Sequence, residues 1–242
     1  MKNIGLKRGY LEIMDYRDDY NKIYESEKEE LLKIYGNKIS QIDHVGSTSI
    51  KNIKSKPIID INIQTDDLED FKNFTESKVE GEIYTVKKEP TMGGDYLIRK
   101  EEDGKVKAFI HVYKTGDINA IKQIAFRDYL NKHEDEKKHY EKLKIELYEK
   151  YKDDRNQYTL GKDKYIKEVT ERAMKEIEGK WYEKTIWRSK FNMEKGNYSS
   201  SSNRNWCRPI KQCSLFIWYN YNWCCYLFWF LDIMWNIYNH EL

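Results

Sequence analysis

Residues 1–180 contain no cysteine and no tryptophan; all four cysteines and all seven tryptophans of the 242-residue chain fall at or after Trp181. That absence excludes a disulfide framework or a cysteine-held metal from the larger part of the chain. The thiols that exist, Cys207, Cys213, Cys224 and Cys225, match no zinc-ribbon or finger spacing, and the adjacent pair Cys224-Cys225 is poor material for a disulfide framework. An excess of charge is also missing. Lys and Arg number 43 against 41 Asp and Glu, a net charge of +2, so no global basic field points to nucleic acid, and the interspersed charges read as solvated helix faces. The basic start, Met1 to Arg8, is followed by no apolar core of about 7–15 residues, so it does not read as a secretory signal and the cytoplasm is the expected location. No Gly-x-x-x-x-Gly-Lys-Ser/Thr run is present, which argues against a P-loop kinase.

What is present is ordered early and changes character late. Apolar positions Tyr20, Ile23, Tyr24, Leu31, Leu32 and Tyr35 recur at helical spacing, with Gly36 as a stop, and predict an amphipathic helix over 18–35. A strand is expected over 39–45, a short helix over 47–54, and an extended restart at Pro57. Residues 58–64 alternate with period two: Ile59, Ile61 and Ile63 share one face, and Ile58, Asp60 and Asn62 share the other. A helix over 66–77 and strands near 82–87, 95–100 and 105–113 follow, the last two joined at Glu102-Asp103-Gly104. Asp117 is placed to cap a helix, a charged helix is expected over about 134–152, a break at Tyr158-Thr159-Leu160-Gly161, and a last helix over 163–178. The pattern is that of an α/β or α+β domain with a mixed sheet flanked by helices and a helical C-terminal part.

The stretch His44-Val45-Gly46-Ser47-Thr48-Ser49 puts a Gly-Ser-Thr turn thirteen residues ahead of Asp60, counting from Ser47. Such a turn offers hydroxyls and backbone N–H groups to phosphate oxygens, and, if it opens a helix, the positive end of the dipole. Gly46, Ser47, Thr48 and Lys56 are therefore the candidate phosphate-binding residues, and Lys51 and Lys54 flank the turn closely enough to attract a polyanion. Asp60 stands in the middle of an isoleucine-rich strand, where a carboxylate is costly to bury unless paired, hydrogen-bonded or metal-bound. With Asn62 and Asp43 it forms a candidate Mg2+ set, weakened by the neutral amide at position 62. His111, alternating with Phe109 and Tyr113, and Arg99 on the preceding strand are the candidates for stabilising transferred charge, with Asp60 as the catalytic carboxylate. Arg127, Asp128, Lys162 and Lys164 read as surface charges on helices.

The motifs HVGSTSI, KPIIDINI, HVY and AFRDYL, followed by YEKLKIELYEKYKDDRNQYTLGKDKYIKE, make residues 10–175 resemble the GrpB family. The resemblance implies a nucleotidyltransferase-like fold, in which a Gly-Ser turn precedes an Asp-x-Asp or Asp-x-Glu pair that binds magnesium. Gly46, Ser47 and Asp60 match that pattern. Asn62 departs from it, and Phe109 stands where family members commonly carry a first histidine ahead of His111. A nucleotide or phosphorylated small molecule is the implied partner, with Mg2+-dependent nucleotidyl transfer or a non-catalytic binding module as the implied functions. Neither nucleic acid nor a membrane is indicated as a partner.

The compositional shift divides the chain into a domain over 1–178 and an atypical tail over 179–242. In the tail, 215–238 is rich in Trp, Tyr, Phe and Cys but broken by Asn220, Asn222, Asp232 and Asn236 at no regular period, which makes it a marginal membrane span. It reads as an irregular, possible frameshift product, since shifting the codons of Trp-Cys-Cys-Tyr forward by one base can yield Gly-Val-Val-Ile.

Overall fold

A computed structural model describes residues 4–87 and 96–195, with side chains through Gly179. By internal contacts the chain divides into Met1–Phe191 and Asn192–Leu242, and the account below concerns the first unit. The expected span over 215–238, and the rest of the tail after residue 195, lie outside the described residues.

The order of elements is α1 (Tyr20–Tyr35), β1 (Gln41–Val45), β2 (Ile59–Thr65), α2 (Leu68–Phe74), β3 (Tyr84–Lys87), β4 (Tyr96–Glu102), β5 (Lys105–Lys114), α3 (Ile118–Lys132), α4 (Glu134–Lys150), α5 (Arg155–Leu160) and α6 (Asp163–Lys195). The five strands form one mixed sheet in the order β1-β2-β5-β4-β3; β2 and β5 run parallel, and every other pair is antiparallel. The expected α/β fold with a mixed sheet between helices is the one observed.

The alternation in β2 separates two environments. Ile59, Ile61 and Ile63 are fully buried with Ile98, Ile110 and Val112 against Tyr20, Tyr24, Leu31, Tyr35 and Phe71 of α1 and α2. The other face turns Asp60 and Asn62 toward the helical C-terminal part, where Ile50, Ile53, Phe126, Leu130, Tyr140, Tyr165 and Val169 make a second apolar cluster. Asp67 and Asp117 start α2 and α3 by accepting hydrogen bonds from the N–H groups of Asp70 and Asn119. Asp103 and Gly104, both at positive φ, turn β4 into β5.

Three expectations are corrected. Residues 47–54 do not form a helix: only Ser47–Ser49 makes one 3-10 turn. The backbone N–H groups of Lys51 and Lys54 are instead taken by the side chains of Asn131 and Glu141, and Ile50 and Ile53 are drawn into the second core. The break expected over 158–161 is narrower and later, at Gly161-Lys162, because Asp154 accepts from the N–H groups of Asn156 and Gln157 and nucleates α5, which buries Tyr158. The last helix also runs past residue 178, to Lys195.

A buried ion pair ties α1 to the sheet. The Lys100 side chain is wholly buried, with its Nζ 2.8 Å from both Glu27 Oε2 and Glu30 Oε2 and 5.5 Å from the centre of the Tyr84 ring. Removing one member of such a pair leaves a buried charge uncompensated, at a cost of about 3–5 kcal/mol. Lys100→Met is therefore expected to lower unfolding free energy by about that amount in urea titrations, and adding Glu27→Gln should recover part of the loss.

Candidate functional site

The site is built where β1 ends. Gly46 follows Val45, which pairs with Asp60 across the sheet, and its backbone sits at φ 69°, ψ −169°, a region open essentially to glycine. Space imposes the same choice independently. A Cβ on Gly46 would lie 2.3 Å from Asp60 Oδ2 and 2.8 Å from Asp60 Cγ, so the carboxylate rests directly on the glycine backbone. The turn after it is closed by Ser49 Oγ donating to Gly46 O at 2.6 Å. A single 3-10 turn carries no helix-length dipole, so that part of the expected phosphate cradle is withdrawn.

The hydroxyls of the turn have different surroundings. Ser47 Oγ is 3.4 Å from the phenolic oxygen of Tyr140 on α4, at the edge of the site. Thr48 is buried instead, its Oγ1 2.9 Å from His44 Nε2 and 3.5 Å from Ile58 O. His44 stacks on Tyr24 at 4.8 Å between ring centres. Burial pushes its pKa down to about 4, against an opposing pull from Asp60, so the ring is neutral at pH 7.

Helices α4 to α6 bring a wall of cations to Asp60. Lys162 Nζ lies 4.5 Å and Lys56 Nζ 5.6 Å from the centre of the Tyr158 ring, so two ammonium groups share one aromatic ring. Among the described residues neither makes a hydrogen bond or ion pair; Asp60 attracts both electrostatically, as it does Arg155. Lys144 donates to Lys54 O and lies 4.7 Å from the centre of the Tyr140 ring. Burial, reinforced by neighbouring cations, pulls Lys56 and Lys144 down to about 7, and burial pulls Lys162 to about 8.

His111 Nε2 is 3.9 Å from Asp60 Oδ1, so Gly46, Ser47, Lys56, Asp60 and His111 are brought together. Asn62 pairs with His111 on the same face, and its Nδ2 donates to Ala120 O at 3.2 Å and Gln123 Oε1 at 2.9 Å while its Oδ1 is buried without a partner. Asp43 is also on this face but accepts from Gln41 Nε2 at 2.6 Å and lies 3.5 Å from Arg127 Nη1. Arg127 donates to His44 O at 2.8 Å as well, which makes it a clamp between α3 and β1 rather than a free surface charge. Arg99 lies farther along the sheet, in a neighbouring cleft with Phe109 and Arg155. Among the described residues no three His, Cys, Asp or Glu side chains are grouped so as to hold a metal ion.

Sequence reasoning did not single out Tyr140, Lys144, Arg155 or Tyr158, and read Lys162 as surface. One signal was available: Lys137, Tyr140 and Lys144 occupy the buried stripe of α4 at helical spacing, where an ordinary surface helix places aliphatic residues.

A family model described as "GrpB protein" matches residues 10–172. The chain is similar to UPF0157 protein YqkA of Bacillus subtilis, 34% identical over 70% of this chain, and spans about half of that relative, 49% of its length. It is 29% identical to "Glutamate-rich protein GrpB" of Alkalihalophilus pseudofirmus over 69% of this chain and 97% of the relative. Among solved structures, the conserved protein GrpB from Enterococcus faecalis superposes with a TM-score of 0.62 at 26% identity, covering 69% of this chain and 99% of the other.

Gly46→Ala is expected to destabilise the fold by about 1–3 kcal/mol from the backbone alone, with a further loss from the displaced Asp60, as read by urea denaturation. The lysines set a pH dependence. Their folded pKa values lie below the unfolded value near 10.5, so their contribution to stability is fully present above about 10.5 and is lost as pH falls through 8 to 7. Melting temperature measured between pH 6 and 9.5 should carry this rising component with increasing pH, and Lys162→Met should flatten it.

Proposed function

The chain belongs to the GrpB family, and we propose that it binds a nucleotide or another phosphorylated ligand in the pocket between Gly46-Ser47 and the Lys56, Lys144 and Lys162 side chains. The observation that carries this reading is the pair Lys56 and Lys162: a half-buried and a buried lysine whose ammonium groups have no hydrogen-bonded anion among the described residues, gathered at one carboxylate. Desolvated cations without acceptors are costly, and a phosphate supplies the missing charge and oxygens in one step. Ser47 Oγ and the phenol of Tyr140 stand at the same edge to meet ligand oxygens.

Magnesium belongs to this reading as a companion of the ligand's phosphates. Asp60 and the unpartnered Asn62 Oδ1 are the donors that would hold it, but one carboxylate among ammonium groups is a poor resident site for a bare dication. Bound there, the ion would neutralise charge on the phosphates. In the transferase version of the proposal Asp60 orients that charge, and His111, whose Nε2 is 3.9 Å from Asp60 Oδ1, stands beside it to stabilise the transferred group. The Asn62 amide favours the second reading, a binding module without transfer, because its nitrogen is spent on docking α3 to the sheet.

Thermal-shift measurements with nucleoside mono-, di- and triphosphates and inorganic polyphosphate, each with and without Mg2+, test the proposal. Triphosphates are expected to raise the melting temperature of the wild type, more at pH 6.5 than at pH 9 because the lysines lose their protons in between, and the rise should vanish in Lys162→Ala. The shift on ligand addition is the readout, since Lys162→Ala removes a buried charge and changes the unliganded value too. No stabilisation by any phosphate compound at either pH would refute it. Label transfer from a nucleoside triphosphate, lost in Asp60→Asn, separates transferase from binding module.

A further inference from the structure

Beside the phosphate pocket, a cleft of about 490 Å3 opens between the sheet and the segment leading into α5. Its size suits a small molecule. Phe109, Arg99 and Arg155 line it together with Arg8 and Gly9. Phe109 and Arg99 sit opposite one another on β5 and β4, in the same row across the sheet as Asp60. The Arg155 guanidinium lies 5.9 Å from the centre of the Phe109 ring.

The acids of the cleft are largely engaged. Both Glu101 oxygens accept from Arg8, whose Nε is 2.6 Å from Oε1. Arg99 Nε is 3.5 Å from the same Oε1 yet buried with no hydrogen bond. Asp154 Oδ1 receives the Asn156 and Gln157 N–H groups, which leaves exposed Asp153 as the other acid of the lining. The Arg155 guanidinium makes no hydrogen bond or ion pair among the described residues. The cleft therefore presents two guanidinium groups with unused donors above an aromatic floor.

We propose that this cleft is a second binding subsite, taking a small organic acid that carries a carboxylate or phosphate monoester on a flat apolar body. Planar guanidinium forks match those anions, and Phe109 accepts the flat body. Arg155 stands between the two compartments, because it lines the cleft and is also attracted by Asp60. The role of the bound acid as acceptor for a transferred group rests on the phosphate-pocket reading; the binding of the acid does not.

The full 242-residue chain, labelled with 15N, is titrated with benzoate and phenyl phosphate, with benzyl alcohol as the uncharged control. Both acids are expected to shift the amide resonances of Gly9, Val106 and Asn156 saturably in the millimolar range, with benzyl alcohol at least tenfold weaker. Arg99→Gln should weaken both acids at least tenfold, Arg99→Lys by less, and Lys162→Ala should leave benzoate binding within twofold. Should Arg99→Gln fail to fold, the wild-type shift map still decides. The proposal is overturned if the cleft resonances do not move, if Ser47 and Lys56 move instead, or if benzoate binding is lost in Lys162→Ala and kept in Arg99→Gln. Cleft shifts by benzoate alongside a null triphosphate response would refute the phosphate pocket and leave this subsite standing.

Discussion

The contact between the Asp60 carboxylate and the bare backbone of Gly46 fixes the position of everything else in the site. The alternation of β2 turns the carboxylate away from the isoleucine core, and with no Cβ at position 46 β1 can end directly against it and turn away at once. Once Asp60 is held there, its field reaches Lys56 just ahead of β2 and, about a hundred residues on, Arg155 at the start of α5 and Lys162 just past its end. Those cations repel each other, so one central anion is the least that keeps them close. A larger residue at 46 would displace the anion and with it the reason for the cluster.

The sheet supplies the anion, and the C-terminal helical part supplies all of the named cations except Lys56, which comes from the segment before β2. Asn62 and Asp43 bind this assembly together rather than adding to its charge: Asn62 hydrogen-bonds α3, and Asp43 meets the Arg127 that also holds the end of β1. The family match reaches residue 172, so it includes Lys144, Arg155, Tyr158 and Lys162 as well as the Gly-Ser turn. The cluster of cations around Asp60 is thus a property of the whole matched region and not of the Gly-Ser turn alone.

How much of this could be read from the chain follows from the range of each interaction. The period-two pattern of Ile59, Ile61 and Ile63 is local, so the strand, its two faces and the outward aim of Asp60 were legible, as were the Asp117 cap and the Glu102-Asp103-Gly104 turn. The helix expected over 47–54 failed because its N–H groups find side chains of Asn131 and Glu141, some eighty residues away, which no local pattern encodes. Lys162 looked like surface for the same reason: Lys56 and Asp60, about a hundred residues earlier, are brought beside it only in the packed fold. Asp154 is the case of a local signal overlooked, since an aspartate two and three residues ahead of Asn156 and Gln157 is an ordinary helix start.

The protein also buries lysine in a second way, and the contrast bears on the meaning of the pocket. Lys100 is wholly enclosed yet lies 2.8 Å from each of two glutamates, so its charge is compensated within the fold and its pKa is raised. Lys162, which is buried, and Lys56, which is half-buried, share one carboxylate and an aromatic ring, and their pKa values fall. If enclosure alone had placed them, a structure-stabilising pair like that of Lys100 would serve equally well, and Asn62, next to Asp60 on the same face, is the position where a second carboxylate would provide it. An amide there leaves the cations under-compensated. Under the binding reading proposed above, arrival of an anion would relieve that excess of positive charge, whereas the charge of Lys100 is already compensated within the fold.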